Sequence, residues 1–167
     1  IKMILAELLE AFRISFDPQG FLDEKHQEER FRVGQEALIR FFDAEEEHNS
    51  QPKFIEKEFS FIYEDTKISG RFDRIDEYPD GAVIMDFKTS EIKTQGDAHK
   101  RVKDSMQLKL YAQAYKNIFG QLPKRVELYF LESGIIGSAE LEDKDLDKVK
   151  EKIREVWPKA SYPPTQK

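Results

Sequence analysis

Gly70-Arg71-Phe72-Asp73-Arg74-Ile75-Asp76, followed past the turn residues Pro79-Asp80-Gly81 by Ala82-Val83-Ile84-Met85-Asp86-Phe87-Lys88, is the stretch that decides the fold. The second run is apolar from Ala82 to Met85 and charged only near its end, the pattern of a central strand. Strand side chains alternate with a period of two, so Ala82, Ile84, Asp86 and Lys88 share one face and Val83, Met85 and Phe87 the other. Asp86 and Lys88 therefore project side by side from an apolar strand end. Leaving water there is costly unless a cation meets Asp86 and an anion meets Lys88. In the first run, Gly70 permits close backbone approach three residues before Asp73. Pairing of the two runs through the turn would bring Asp73 beside Asp86. A hard divalent cation is the simplest way to hold two such carboxylates ionised, and all-oxygen ligation suits Mg2+ or Mn2+ better than zinc.

Working outward, residues 54–63 and 67–76 read as a hairpin turning at Glu64-Asp65-Thr66. Upstream lies a helix over residues 24–47 with Phe31, Leu38, Phe41 and Phe42 on one stripe. Its interior Gly34 costs about 1 kcal/mol against Ala, which a close helix contact would offset. Ahead of that, Ile1, Ile4, Leu5, Leu8, Leu9 and Phe12 recur at helical spacing, predicting an amphipathic helix with one buried face that Asp17-Pro18-Gln19-Gly20 stops. Downstream, a loop at 89–96 leads to one long helix over residues 98–119 closed by Gly120. Strands at 125–132 and 135–141 follow, joined around Ser133-Gly134, and then a last helix carries Leu146, Val149, Ile153 and Val156. The order ααβββαββα indicates an α/β fold, a mixed central sheet flanked by helices with an N-terminal helical segment. The expected organisation is one domain over residues 1–167: helical segment 1–48, sheet and motif-bearing core 52–141, and C-terminal helix 142–158.

Net charge is −6 over 167 residues, which repels a polyanion unless basic groups cluster or metal ions offset the carboxylates. Lys100, Arg101, Lys103 and Lys109 form one basic stretch. The absence of cysteine excludes a disulfide framework, a thiolate zinc site and any iron-sulfur cluster within these residues, and fits a reducing cytoplasm. No apolar run approaches the ~20 residues that cross a bilayer, and no leader opens the chain, so a soluble protein with no membrane partner is expected. Beginning in helical pattern at Ile1 and ending after Tyr162-Pro163-Pro164, the chain reads as a fragment of a larger protein.

Three motifs stand in order: Gly70 to Asp76, then Ile84-Met85-Asp86-Phe87-Lys88-Thr89, then Gln107-Leu108-Lys109-Leu110-Tyr111. Together they resemble the GxxDRxD, DxK and QxxxY signatures of the RecB-like branch of the PD-(D/E)XK nuclease superfamily, over roughly residues 54–132. The resemblance implies a restriction-endonuclease-like fold and metal-dependent hydrolysis of DNA phosphodiesters. Asp73 and Asp86 would hold Mg2+ or Mn2+ with the Phe87 carbonyl, and Lys88 would orient the attacking water and stabilise the phosphorane-like transition state. Gln107 and Tyr111, four apart on one helical face, would support the site or contact DNA phosphate. Glu56 stands where relatives often carry an acidic residue on the first strand, and could assist a metal or water. Lys100, Arg101 and Lys103 would contact DNA. The expected setting is a RecB-like exonuclease module in DNA repair or recombination, with a helicase domain or subunit as partner. The branch's metal-binding His has no counterpart, since His26 and His48 sit at the ends of the second helix. It lies upstream of Ile1 or the site does without it. A cysteine cluster in the parent protein would lie beyond this chain.

Simpler readings stand beside these. Asp86 and Lys88 can form a strand-end ion pair worth ~0 to 1 kcal/mol. Asp73 can pair with Arg71 or Arg74, and those arginines and Asp76 read as structural or surface groups. Gln107 and Tyr111 sit among Met106, Leu108, Leu110, Ala114 and Tyr115, so core packing competes with function. His99 reads as a surface residue and Trp157 as a core anchor. The rival function is a catalytically inactive nuclease-like module that binds DNA or a partner subunit.

Overall fold

A computed structural model describes residues 4–48, 52–64 and 66–156 of the chain. The side chains of His48 and Val156, and the expectations resting on Ile1, Trp157 and the proline segment, lie outside the described residues. Five strands form one mixed sheet in the order β1-β2-β3-β4-β5, with β1 Pro52–Tyr63, β2 Thr66–Tyr78, β3 Gly81–Lys88, β4 Arg125–Phe130 and β5 Ile135–Ala139. All neighbours are antiparallel except β3 and β4. A parallel pair needs a crossover, and the helices between β3 and β4 provide it. The expected mixed α/β architecture, with its N-terminal helices, is the one observed.

The helices are α1 Leu5–Ser15, α2 Glu24–His48, α3 Gln95–Asp104, α4 Met106–Phe119 and α5 Asp143–Val156. The single long helix expected over residues 98–119 is two helices. Ser105 takes an extended backbone, closes α3 through its N–H to the Val102 carbonyl, and caps α4 by accepting from the Leu108 N–H. Serine competes for backbone groups and so favours helix starts over helix interiors. With neither glycine nor proline at the break, apolar periodicity runs straight through it.

One face of the sheet carries Ala82, Ile84, Val126, Leu128 and Phe130, packed with Ala98, Val102, Leu108 and Ala112 into the main core. The helix α3 crosses β5 so closely that a Cβ on Gly137 would stand 2.4 Å from the Ala98 carbonyl oxygen. The opposite face is covered by α2, whose Phe41 lies 5.8 Å from the Phe87 ring and 5.7 Å from that of Tyr129. The contact expected at Gly34 is present: Phe12 of α1 lies over it, and a Cβ would meet the ring at 2.5 Å. The buried face expected on α1 is not realised among the described residues, none of which in α1 is buried. α1 packs on α2 rather than on the sheet, so Leu5, Leu8, Leu9 and Phe12 are only half-covered. No described helix is long and apolar enough to cross a membrane.

Candidate active site

The ladder between β2 and β3 runs from Tyr78↔Gly81 to Arg74↔Met85. One residue further, Asp73 turns its side chain across the gap and its Oδ2 accepts the Phe87 N–H at 3.0 Å. A side chain thus takes over a donor at the ladder's end, and that leaves the Asp73 carboxylate against the peptide joining Asp86 to Phe87. Asp73 also raises the pKa of Asp86 electrostatically, which places the two carboxylates in each other's field.

Asp86 is only 2% exposed. Burial is the largest influence on it and pushes its pKa up; Lys88 opposes that shift and Asp73 adds to it. Lys88 Nζ lies 2.6 Å from Asp86 Oδ2, an ion pair by distance. That ammonium is the partner of a buried oxygen and offsets part of the cost of its charge. The Asp73 charge adds to that cost, and a cation between the two carboxylates would relieve it.

Lys88 also donates to Gln107 Oε1 at 2.9 Å, and Gln107 Nε2 donates to the Tyr111 hydroxyl at 2.9 Å. An ammonium can only donate, so it fixes which end of the amide faces β3 and hands the NH2 to Tyr111. Tyr111 is buried, its ring edge-on to Phe59 and Phe72 at 5.8 and 5.4 Å. That burial, opposed by the Gln107 hydrogen bond and reinforced by Asp86 and Asp73, pushes its hydroxyl pKa up and keeps it a neutral phenol. Tyr111 therefore packs in the core and also steadies the polar chain that ends at Asp86.

The structure brings Asp73, Asp86, Lys88, Gln107 and Tyr111 together. Glu56 lies on β1 between Ile55, paired with Arg74, and Lys57, paired with Phe72, with a positive φ of 54°, and its exposed carboxylate pairs with Arg71 at 2.6 Å. Among the described residues, no three His, Cys, Asp or Glu side chains cluster as a metal site. Two carboxylates and the Phe87 carbonyl nevertheless fit a magnesium-type ion, which commonly binds through one or two carboxylates and keeps its other positions for water or phosphate.

An open cavity of about 570 Å3 adjoins Lys88, lined by Ile92, Asp97, Lys100, Arg101, Asp104, Ser105 and Leu128. Lys100 and Arg101 thus share this cavity with Lys88, whereas Lys103 does not line it. Lys109, from the same basic stretch, is turned inward, and its Nζ donates to the Lys103 carbonyl at 2.5 Å, tying the end of α3. Ser90, which holds Arg101 at 3.1 Å, has no sequence signal beyond standing two residues after Lys88 in a loop. Arg74 and Asp76 form a buried bidentate pair, at 2.7 and 2.9 Å, with Glu45 also 2.9 Å from Arg74. His99 joins α3 to β5 through the Ser138 backbone at 3.0 Å, and His26 accepts from the Leu22 N–H at 3.3 Å on the α2 side.

No curated protein matches the chain. A solved structure described as "Crystal structure of SSO0001" is similar at 15% identity with a TM-score of 0.43, over 91% of this chain and 84% of that one, too distant to inform the site. The PD-(D/E)XK nuclease superfamily, whose members usually cleave nucleic acid with a divalent metal, matches residues 3–167, and the chain belongs to that superfamily.

Proposed function

We propose that this chain is a divalent-metal-dependent DNA nuclease, a RecB-like exonuclease module serving repair or recombination beside a helicase domain or subunit of a larger protein. The observation that carries the reading is the buried Asp86, with Asp73 in its field and Lys88 at 2.6 Å. A purely structural ion pair has no need of the second carboxylate, which works against it.

Asp73, through the oxygen that Phe87 does not engage, would hold Mg2+ or Mn2+ together with Asp86 and the Phe87 carbonyl. The ion supplies positive charge to the scissile phosphate and acidifies water beside it. Once the Asp86 charge is met in this way, Lys88 would be free to turn its ammonium to the attacking water and to the negative charge that builds on the non-bridging phosphate oxygens. Gln107 keeps Lys88 aimed into the site, and Tyr111 keeps Gln107 from rotating.

The test is cleavage of end-labelled DNA with Mg2+ or Mn2+ by the wild type, Asp86→Ala and Lys88→Ala. Loss of cleavage in both variants, with circular dichroism and melting retained, supports the reading. Wild-type activity in both overturns it. The inactive-module reading draws on one observation: among the described residues no third acidic or histidine side chain joins the carboxylate pair. A Mn2+ thermal-shift titration separates the two, because a ligand that binds the native state stabilises it by mass action. The nuclease reading expects a dose-dependent rise in Tm that Asp86→Ala abolishes.

A further inference from the structure

Arg101 is set apart from most other arginines by its partners. Seven of them pair with carboxylates: Arg13 with Glu10, Arg30 with Glu132, Arg32 with Glu36, Arg71 with Glu56, Arg74 with Asp76, Arg125 with Glu127 and Arg154 with Glu64. Arg101 is held by neutral groups. Its Nη1 donates to Ser90 Oγ at 3.1 Å, and its guanidinium stands 5.9 Å from the ring of the fully buried Phe130. Among the described residues it makes no ion pair. These contacts restrict the fork without neutralising it, so its charge remains available to an external anion.

The fork lines the same cavity as Lys88. Without metal Lys88 is paired with Asp86, and one ammonium does little to draw a polyanion toward a protein of net charge −6. Asp97, also in the lining, is turned to Thr94 at the start of α3, where Thr94 Oγ1 donates to it at 2.7 Å. Ser90 follows Lys88 by two residues, so the loop that leaves β3 just after the ammonium carries the brace of the guanidinium. The planar fork suits the two non-bridging oxygens of a phosphodiester.

We infer that Arg101 is a phosphate clamp: it binds a phosphodiester next to the scissile one, on the α3 side of Lys88, and fixes the register of the strand in the site. This rests on the nuclease reading of the neighbouring carboxylates. Ser90 is a positioning residue for the clamp.

Binding of a fluorescein-labelled oligodeoxynucleotide is measured by anisotropy across a salt series. Ca2+ replaces Mg2+, and the oligonucleotide is checked intact on a gel. Arg101→Ala is expected to bind ~10-fold more weakly at low salt. Its log Kd against log salt slope should flatten by roughly 0.7 to 1, one phosphate contact. Arg101→Lys should keep most of the slope but not the affinity, since it retains the charge and loses the fork. Ser90→Ala should keep the slope and weaken binding less than Arg101→Ala. In cleavage assays KM should rise more than kcat falls. Lys148→Ala, an exposed cation on α5 away from the cavity, reports generic loss of charge. An Arg101→Ala slope equal to wild type, or matched by Lys148→Ala, overturns the clamp and leaves the nuclease reading standing. A wild-type chain that neither binds nor cleaves removes both.

Discussion

Lys88 donates a 2.9 Å hydrogen bond to Gln107 across the gap between β3 and α4, while its ammonium lies 2.6 Å from Asp86. The lysine is thus held between the strand that carries it and the helix beyond the crossover, and its aim depends on both.

Removing the helix side of that grip should cost activity more than stability. Groups that orient a functional side chain without touching substrate typically contribute 10- to 100-fold. Gln107→Ala is expected to lower kcat by about tenfold, with Tm nearly unchanged because Gln107 is exposed. Tyr111→Phe, which keeps the ring and removes only the hydroxyl, should lose less. Steady-state kinetics and thermal melts check the split, and equal losses in Gln107→Ala and Lys88→Ala would show that the amide does more than aim the lysine.

The ionised Asp86 is a net cost to the metal-free fold. Burial raises its folded pKa, so the folded chain holds this proton more tightly than the unfolded chain. The contribution of this group to stability is then greatest below the unfolded carboxylate range and is lost as pH rises through the raised folded value. Asp86→Asn should raise the metal-free Tm at neutral pH by ~2 to 4 °C. The gain should vanish at acid pH and reverse in sign when Mn2+ is added to both proteins. Calorimetry across pH, with and without Mn2+, reads all three outcomes.

Arg74 and Asp76 are each about 5% exposed or less, and they bind one another by two parallel hydrogen bonds. Burial opposes the Arg74 charge, but Asp76 and Glu45 outweigh it and raise its pKa. Asp76→Ala removes one partner of a buried pair and should cost about 3 to 5 kcal/mol. Arg74→Met combined with Asp76→Leu should cost far less, because the charge left behind, on Glu45, is more exposed than that of Arg74 or Asp76. Urea unfolding of the single and double variants gives the comparison; a double variant as unstable as Asp76→Ala would contradict it.

The two crowded glycines should respond differently to Ala. At Gly137 the new Cβ meets backbone of α3, which cannot yield without lifting the helix off β5, so Gly137→Ala should cost about 1 to 3 kcal/mol. At Gly34 it meets the end of the Phe12 ring on α1, a helix packed chiefly on α2, and gains about 1 kcal/mol of helix propensity in return. Gly34→Ala should lie near neutral. Matched losses in chemical denaturation would show that α1 is held as rigidly as α3.

The sequence by itself determined the succession of strands and the turns between β1 and β2, β2 and β3, and β4 and β5, because alternation and turn residues are local; that β3 and β4 lie side by side in parallel was decided by the packing of the crossover helices. It also placed Asp86 and Lys88 on one face, since period-two alternation needs no tertiary information. Tertiary structure alone decided that Asp73 crosses to the Phe87 N–H and that Arg74 and Asp76 are buried together. It also decided that Lys109 turns inward while Arg101 stays open to the cavity. Ser105 broke a periodicity that looked continuous, because a cap acts through one backbone hydrogen bond that apolar spacing does not register. The common reason is that strand and helix patterns are written every two or four residues along the chain. Which charges are paired and which are only held in place depends on neighbours such as Glu45, Ser90 and Lys103, which only the packing of distant or irregular segments brings within reach.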